Sequence, residues 1–242
     1  MAMKKIFVFI YPKNSNDMDK EFFMSDKSIL IITTNTSKVN EEISTGVWLE
    51  EFAVPYLVFR DTGYDITVAS PLGGISPVDE KSYSCSNPEE WDTTKKFLDN
   101  TVRLSTVNYT EFDCVYFPGG HGPMFDLPQN EMVREVVEYF YRENKVVAAV
   151  CHGPCALLSA KKENGESILK GKRVTSFTNR EENIVKMDEF MPFLLQSRIE
   201  ELGAEFEEET PWSEHVEVDG NLITGQNQNS ALLIAEAVVD KL

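Results

Sequence analysis

Cys151 and His152 stand side by side in the run Lys145-Val146-Val147-Ala148-Ala149-Val150-Cys151-His152-Gly153-Pro154-Cys155, and no other pair in the chain is better suited to nucleophilic chemistry. The thiolate is the attacking form of cysteine, and an imidazole is a base of suitable strength to generate it. The Val- and Ala-rich residues before Cys151 read as a buried strand. Pro154 reads as the first turn of a helix, where its missing N–H would be unpaired in any case. Cys151 is therefore expected on a tight strand-to-helix turn, aimed at the positive end of that helix, with a lowered thiol pKa. Ala149 and Gly153, two residues to either side, leave room for the bend. The competing expectation for a cysteine after a strand is a small buried hydrophobe. The turn, the adjoining histidine and the small flanking residues favour a reactive thiol.

A pair of this kind needs partners. Residues at i and i+1 do not face each other on a helix, so His152 acts as a base only if the turn bends its ring back over the sulfur. A carboxylate from another loop must then hold that ring in one tautomer. Glu182, in Arg180-Glu181-Glu182, is the expected third member, and Glu181 is the alternative. Glu51 lies amid Trp48, Phe52 and Tyr56. A carboxyl in apolar surroundings keeps its proton and can donate to a nearby sulfur or shuttle a proton. Periodicity leaves open whether Glu51 faces the core or water. Gly119 and Gly120 follow a predicted strand, and with the amide of His152 they are candidates for an oxyanion or substrate-binding site, because so little side-chain bulk lets N–H groups approach a substrate oxygen. His121 is placed in the same pocket, whereas His215, in a hairpin, is read as structural. Three histidines spread along the chain show no metal-ligand spacing, and no metal is assigned.

The loops Gly119 to Pro123, Cys151 to Pro154 and Asn179 to Glu182 each follow a predicted strand, so they can meet at one edge of a sheet. Strands are expected over Ser28 to Thr34, Tyr64 to Ser70, Phe112 to Pro118, Lys145 to Val150 and Gly171 to Thr178. Helical patterning covers Thr45 to Thr62, with Pro55 predicting a kink or a late start. It recurs over Glu131 to Tyr141, over Phe190 to Leu202 with Gly203 as its stop, and over Asn229 to Leu242. His215 to Val218 and Asn221 to Thr224 read as a hairpin turning on Asp219-Gly220. Residues 75 to 110, with scattered charges and prolines, read as a lid-like insertion holding a short helix near Glu89 to Phe97. Strands alternating with helices predict an α/β fold: a mostly parallel sheet covered by helices on both faces, with ligands beyond the carboxyl ends of the strands.

A chain of 242 residues is long enough for one sizeable core. The reading is one domain over 28–242 after an N-terminal extension, 1–27, in which Ile6 to Tyr11 is an extra strand or surface segment. Lys and Arg number 23 against 40 Asp and Glu, a formal charge of −17. That charge repels phosphate backbones and anionic membrane surfaces, so neither nucleic acid nor a membrane is expected as a partner. No run approaches the ~20 apolar residues that span a bilayer. Four cysteines without a disulfide-dense pattern fit a reducing, cytoplasmic setting.

With these residues assembled, the sequence resembles the ThiJ/PfpI superfamily, whose fold is flavodoxin-like and similar to that of class I glutamine amidotransferases. The resemblance runs from about Ser28 to the C-terminus. It rests on Thr45-Gly46-Val47 with Glu51, on Phe117-Pro118-Gly119-Gly120-His121-Gly122, on Ala148 to Pro154, on Val174 to Glu182 and on Asp219 to Asn227. Within the superfamily it looks most like the branch of glutathione-independent glyoxalases (glyoxalase III) and heat-shock chaperones. The resemblance implies that Cys151 is the nucleophile, His152 the adjoining base, Glu182 the orienting acid and Glu51 the protonated glutamate beside the sulfur. The implied reaction turns the small aldehyde methylglyoxal and water into lactate with no cofactor, in a protein that pairs as a homodimer. Two other readings of the same site are a stress-related chaperone or redox sensor without turnover, and an amidase- or peptidase-type hydrolase. Residues 1 to 27 fall outside the resemblance.

Overall fold

A computed structural model describes residues 26–84 and 87–242. The run Ile6 to Tyr11 and Cys85 lie outside the described residues. The strands are β1 (Ser28–Ile32), β2 (Asp65–Ser70), β3 (Val102–Arg103), β4 (Cys114–Phe117), β5 (Val146–Val150), β6 (Arg173–Val174), β7 (Glu205–Phe206), β8 (Val216–Asp219) and β9 (Leu222–Gly225). Between them run α1 (Leu49–Asp61), α2 (Glu89–Thr94), α3 (Pro123–Asp126), α4 (Glu131–Arg142), α5 (Asn179–Val185), α6 (Leu195–Glu201) and α7 (Ala231–Lys241).

Seven strands form one sheet in the order β3-β2-β1-β4-β5-β9-β8, parallel throughout except for the β8–β9 hairpin. Strands β1, β4 and β5 are apolar at nearly every position because both of their faces are covered. Alternate side chains divide between two cores. Ile29, Ile31, Tyr116, Ala148 and Val150 pack with Phe52 and Phe59 of α1 and Ile234 and Val238 of α7. On the other face Leu30, Ile32, Phe117, Val147 and Ala149 pack with Val133, Val137 and Phe140 of α4 and Ile199 of α6. This is the expected α/β architecture. Among the described residues, no helix is long and apolar enough to cross a membrane.

Several elements depart from the sequence expectations for identifiable reasons. Helix α1 begins at Leu49 and continues through Pro55. Proline cannot donate to the carbonyl four residues back, so the Glu51 carbonyl loses its intrahelical partner. The Tyr116 hydroxyl of β4 donates to that carbonyl at 2.7 Å, and both residues are fully buried. The segment from Gly171 does not join the main sheet. The hairpin places β9 beside β5, so β6 is only two residues long and pairs with β7 in a separate sheet. Asn179 to Val185 is a helix where a loop was expected. The C-terminal pattern near Phe190 becomes helical only at Leu195, because Pro192 lacks a donor and disfavours helical backbone at Met191. The hairpin register pairs Asp219 with Leu222, which makes Gly220 and Asn221 the turn residues in place of Asp219-Gly220. Within residues 75–110, β3 extends the main sheet alongside β2, and Phe97 stacks on Tyr56 of α1 with ring centroids 4.7 Å apart.

The bond that replaces the missing proline donor can be isolated. Tyr116→Phe is expected to cost about 1–3 kcal/mol in denaturant unfolding, because it strands a buried carbonyl. Pro55→Ala in the same background returns a helix N–H to that carbonyl, and most of the loss should be recovered. Additive effects of the two substitutions would show that the carbonyl has another partner.

Candidate active site

Cys151 follows β5 with φ +60°, a left-handed conformation uncommon for a residue with a side chain. Two backbone bonds hold it there: its N–H donates to the Gly225 carbonyl and its carbonyl accepts from Phe177 N–H. The chain then dives beneath the end of β4, where a Cβ at Gly153 would stand 2.1 Å from the Phe117 carbonyl oxygen. The expected helix does not form. Gly153–Leu157 is one short stretch of tight 3-10 turn, which is too short to supply the helix-end field expected to lower the thiol pKa.

The resting sulfur is accordingly a thiol. Burial pushes the Cys151 pKa well up, and the neighbouring Glu51 carboxyl pushes the same way, against the one favourable contact from the Gly120 N–H. Glu51 is fully buried on the first turn of α1. Burial lifts its pKa to about 8, outweighing the opposing hydrogen bonds with Cys151 and the Gly119 N–H. Gly119 N–H donates to Oε2 at 2.7 Å, while Oε1 has no nitrogen or oxygen partner among the described residues. At neutral pH this carboxyl is protonated against the sulfur. The Gly119 amide, expected at an oxyanion site, is thus committed to Glu51. The Gly120 amide is the one that faces sulfur.

The elbow does bend the His152 ring back. Nδ1 lies 3.3 Å from Sγ, and Nε2 lies 2.7 Å from Glu182 Oε2. Glu182 meets His121 with its other oxygen, Nε2 to Oε1 at 2.7 Å. Burial raises the Glu182 pKa, but the two histidines outweigh it and hold the carboxyl well below the usual carboxylate range. An ionised carboxylate only accepts hydrogen bonds, so both imidazoles carry their proton on Nε2. His152 Nδ1 is then a lone pair facing the thiol. Burial, above all, lowers the His152 pKa against the pull of Glu182 and keeps the ring neutral at rest.

The structure also separates the two adjacent glutamates. Thr178 caps α5, accepting from Glu181 N–H, while the Glu181 carboxylate returns to the Thr178 N–H in a capping box. Its other oxygen accepts from Trp212 N–H, Gln226 and Asn227. Glu181 is fully committed there, one residue from Glu182. The spacing Thr178-x-x-Glu181 is a helix-start signature, and it carried the signal for both the helix and this assignment. Phe177 lies against His152, ring centroids 4.6 Å apart, with Trp212 behind it. Sequence reasoning had no handle on Trp212, whose φ is +68°.

The three expected loops do converge, and they bring together Cys151, His152, Glu182, Gly119, Gly120 and His121, with Glu51 added from the first turn of α1. His215 stays apart, on the hairpin beside Glu217. His121, His152 and Glu182 have donor atoms within 4.8 Å of one another and could in principle take a divalent cation, a grouping their sequence spacing conceals. Within the cluster both Nε2 atoms and both Glu182 oxygens are already paired with one another at 2.7 Å.

The Glu51 reading sets a pH dependence. A folded-state value of about 8 above the ordinary 4.5 means that its contribution to stability is complete below 4.5 and is lost as pH rises toward 8. The slope over that window is about 1.4 kcal/mol per pH unit. Glu51→Gln carries no such proton, so its stability should gain on that of the unaltered protein as pH rises through the window in parallel denaturant titrations. A pH-independent difference would mean that the carboxyl is ionised throughout.

Residues 39–241 match the DJ-1/PfpI family. A protein of Schizosaccharomyces pombe named glutathione-independent glyoxalase hsp3101 is 32% identical, over 81% of this chain and 87% of its own. Glyoxalase 3 of Candida albicans is 30% identical, over 88% of this chain and 97% of its own. The crystal structure of glyoxalase III from Candida albicans superposes with a TM-score of 0.82 at 29% identity, covering 89% of this chain and 97% of that one.

Proposed function

The chain belongs to the DJ-1/PfpI family, and from that premise we propose that it is a glutathione-independent glyoxalase, converting methylglyoxal and water to lactate through a covalent adduct on Cys151. The observation that carries this reading is that one sulfur faces two different proton carriers: a neutral imidazole nitrogen 3.3 Å away and a buried, protonated carboxyl. An isomerisation between adjacent carbons needs both, because protons must be moved on carbon and on oxygen.

In this reading the Cys151 sulfur adds to the aldehyde carbon of the substrate while its proton passes to His152 Nδ1 and from there to the new hydroxyl. Glu182 stabilises the imidazolium that forms in between. Glu51 gives its proton to the neighbouring ketone oxygen and takes the proton from the former aldehyde carbon, leaving an enediol on sulfur. It then returns a proton to the second carbon as the hydroxyl on the first collapses to a carbonyl, which leaves a lactoyl thioester and a protonated Glu51. Water cleaves the thioester to lactate and free thiol. The amides of Gly120 and His152 are the candidate donors to the developing oxyanion, and His121 lines the same pocket. The protein supplies the thiol itself, which accounts for independence from glutathione. The four cysteines and the family resemblance support a cytoplasmic homodimer as part of the proposal.

Cys151→Ala is expected to abolish lactate formation from methylglyoxal assayed without added thiol. Glu182→Gln should lower kcat by about 10²–10⁴-fold by removing the anion that fixes and charges His152. Undiminished lactate formation by the Cys151 variant would overturn the reading. Sedimentation velocity tests the dimer.

A further inference from the structure

We propose that His121 is the base that activates the hydrolytic water, so that the site divides its labour between two imidazoles bound to one carboxylate. The inference rests on the reading that Cys151 carries an acyl group.

His121 is held rigidly. The Trp48 N–H donates to the Gly119 carbonyl and the Gly122 N–H to the Gly46 carbonyl. A Cβ at Gly120, where φ is +92°, would stand 2.4 Å from Gly46 oxygen. The loop is thus clamped between the segment before α1 and the elbow. Its imidazole centroid is 4.3 Å from that of His152, and Nε2–H is fixed on Glu182 Oε1. That bond leaves the His121 Nδ1 with the lone pair. Among the described residues nothing hydrogen-bonds this nitrogen, and it is absent from the buried unpartnered atoms, so solvent reaches it. The contrast in exposure is decisive: the His121 side chain is 12% exposed and that of His152 1%. His152 turns its own lone pair to the sulfur, away from water.

Hydrolysis then runs as follows. A water oxygen bonds to the thioester carbon as its proton passes to His121 Nδ1. The carbon–sulfur bond breaks with its electron pair on sulfur, and lactate leaves. The proton on His121 returns through solvent, and the sulfur is reprotonated to thiol. Both rings share the single charge of Glu182, and the neighbouring His121 adds to burial in lowering the His152 pKa. The two bases therefore work in alternation, His152 while the sulfur attacks and His121 while water does.

His121→Gln keeps an amide N–H for Glu182 and removes the Nδ1 lone pair, which makes it the test. With methylglyoxal in rapid-quench experiments it should consume one equivalent of substrate per Cys151 quickly, then release lactate about 10²-fold or more slowly than the unaltered protein. Intact-protein mass spectrometry should show the mass of one methylglyoxal added, located on Cys151. kcat and KM should fall together with kcat/KM nearly kept, and hydroxylamine, added to the adduct after unreacted methylglyoxal has been removed, should cleave the thioester without a base and release the hydroxamate of lactate. Wild-type turnover in this variant, or loss of adduct formation together with turnover, would overturn the role of His121. Should the variant not fold, His121→Ala assayed with and without imidazole decides: rescue of the slow step supports the proposal and no rescue rejects it. Failure of the underlying glyoxalase reading would appear separately, as unaltered protein that forms neither lactate nor an adduct.

Discussion

The site depends on one backbone constraint, the left-handed conformation of Cys151. For an ordinary residue that conformation costs on the order of 1–2 kcal/mol. It persists because both of its peptide groups are bonded, one to β9 and the other to the segment before α5. The side chain emerges from the end of the central strand and meets the adjoining His152 ring, the Glu51 carboxyl of α1 and the Gly120 amide. The sulfur lies at the margin of the core that includes Phe52, Tyr116 and Phe177, where it meets polar groups as well as apolar ones. Cys155, four residues on, is fully buried in the core on the other face of the sheet.

Around that point the charges are arranged so that few are present at rest. Glu51 is neutral because burial outweighs its hydrogen bonds, His152 is neutral because burial outweighs the pull of Glu182, and Glu182 is an anion, held by two N–H donors. Two carboxyls within one pocket thus sit at opposite ends of the titration range. Their difference comes from their partners: Glu51 has one backbone amide and a sulfur, Glu182 has two imidazoles. Such a divergence is the arrangement that acid–base chemistry requires.

Much of this was legible in the residues. The Val-Ala run ahead of Cys151, the Gly-Gly pair after the preceding strand and the alternation of strands with amphipathic helices were enough for the sheet, its two covers and the meeting point of the loops. What escaped was set by tertiary context. The insertion of β9 beside β5 excludes the Gly171 segment from the main sheet, a long-range pairing that local pattern does not encode. The interior Pro55 is tolerated because a tyrosine from another element bonds the carbonyl it frees. The thiol was expected to be acidic on the strength of a helix end, and it is not, because the helix is absent and the sulfur is buried. The choice between Glu181 and Glu182, by contrast, was written in the spacing from Thr178.

The position of β9 bears on how the molecule is made. The Cys151 N–H is bonded to Gly225, a residue far along the chain from the elbow, and β5 has no neighbour on that side until β9 arrives. A chain still emerging from the ribosome can lay down β1, β2, β4 and β5 and bury much of one core, yet its reactive cysteine remains on an open edge. Synthesis therefore passes through an interval in which the sheet is sticky. The arrangement of the sulfur with its two proton carriers is complete only once β9 has docked against β5.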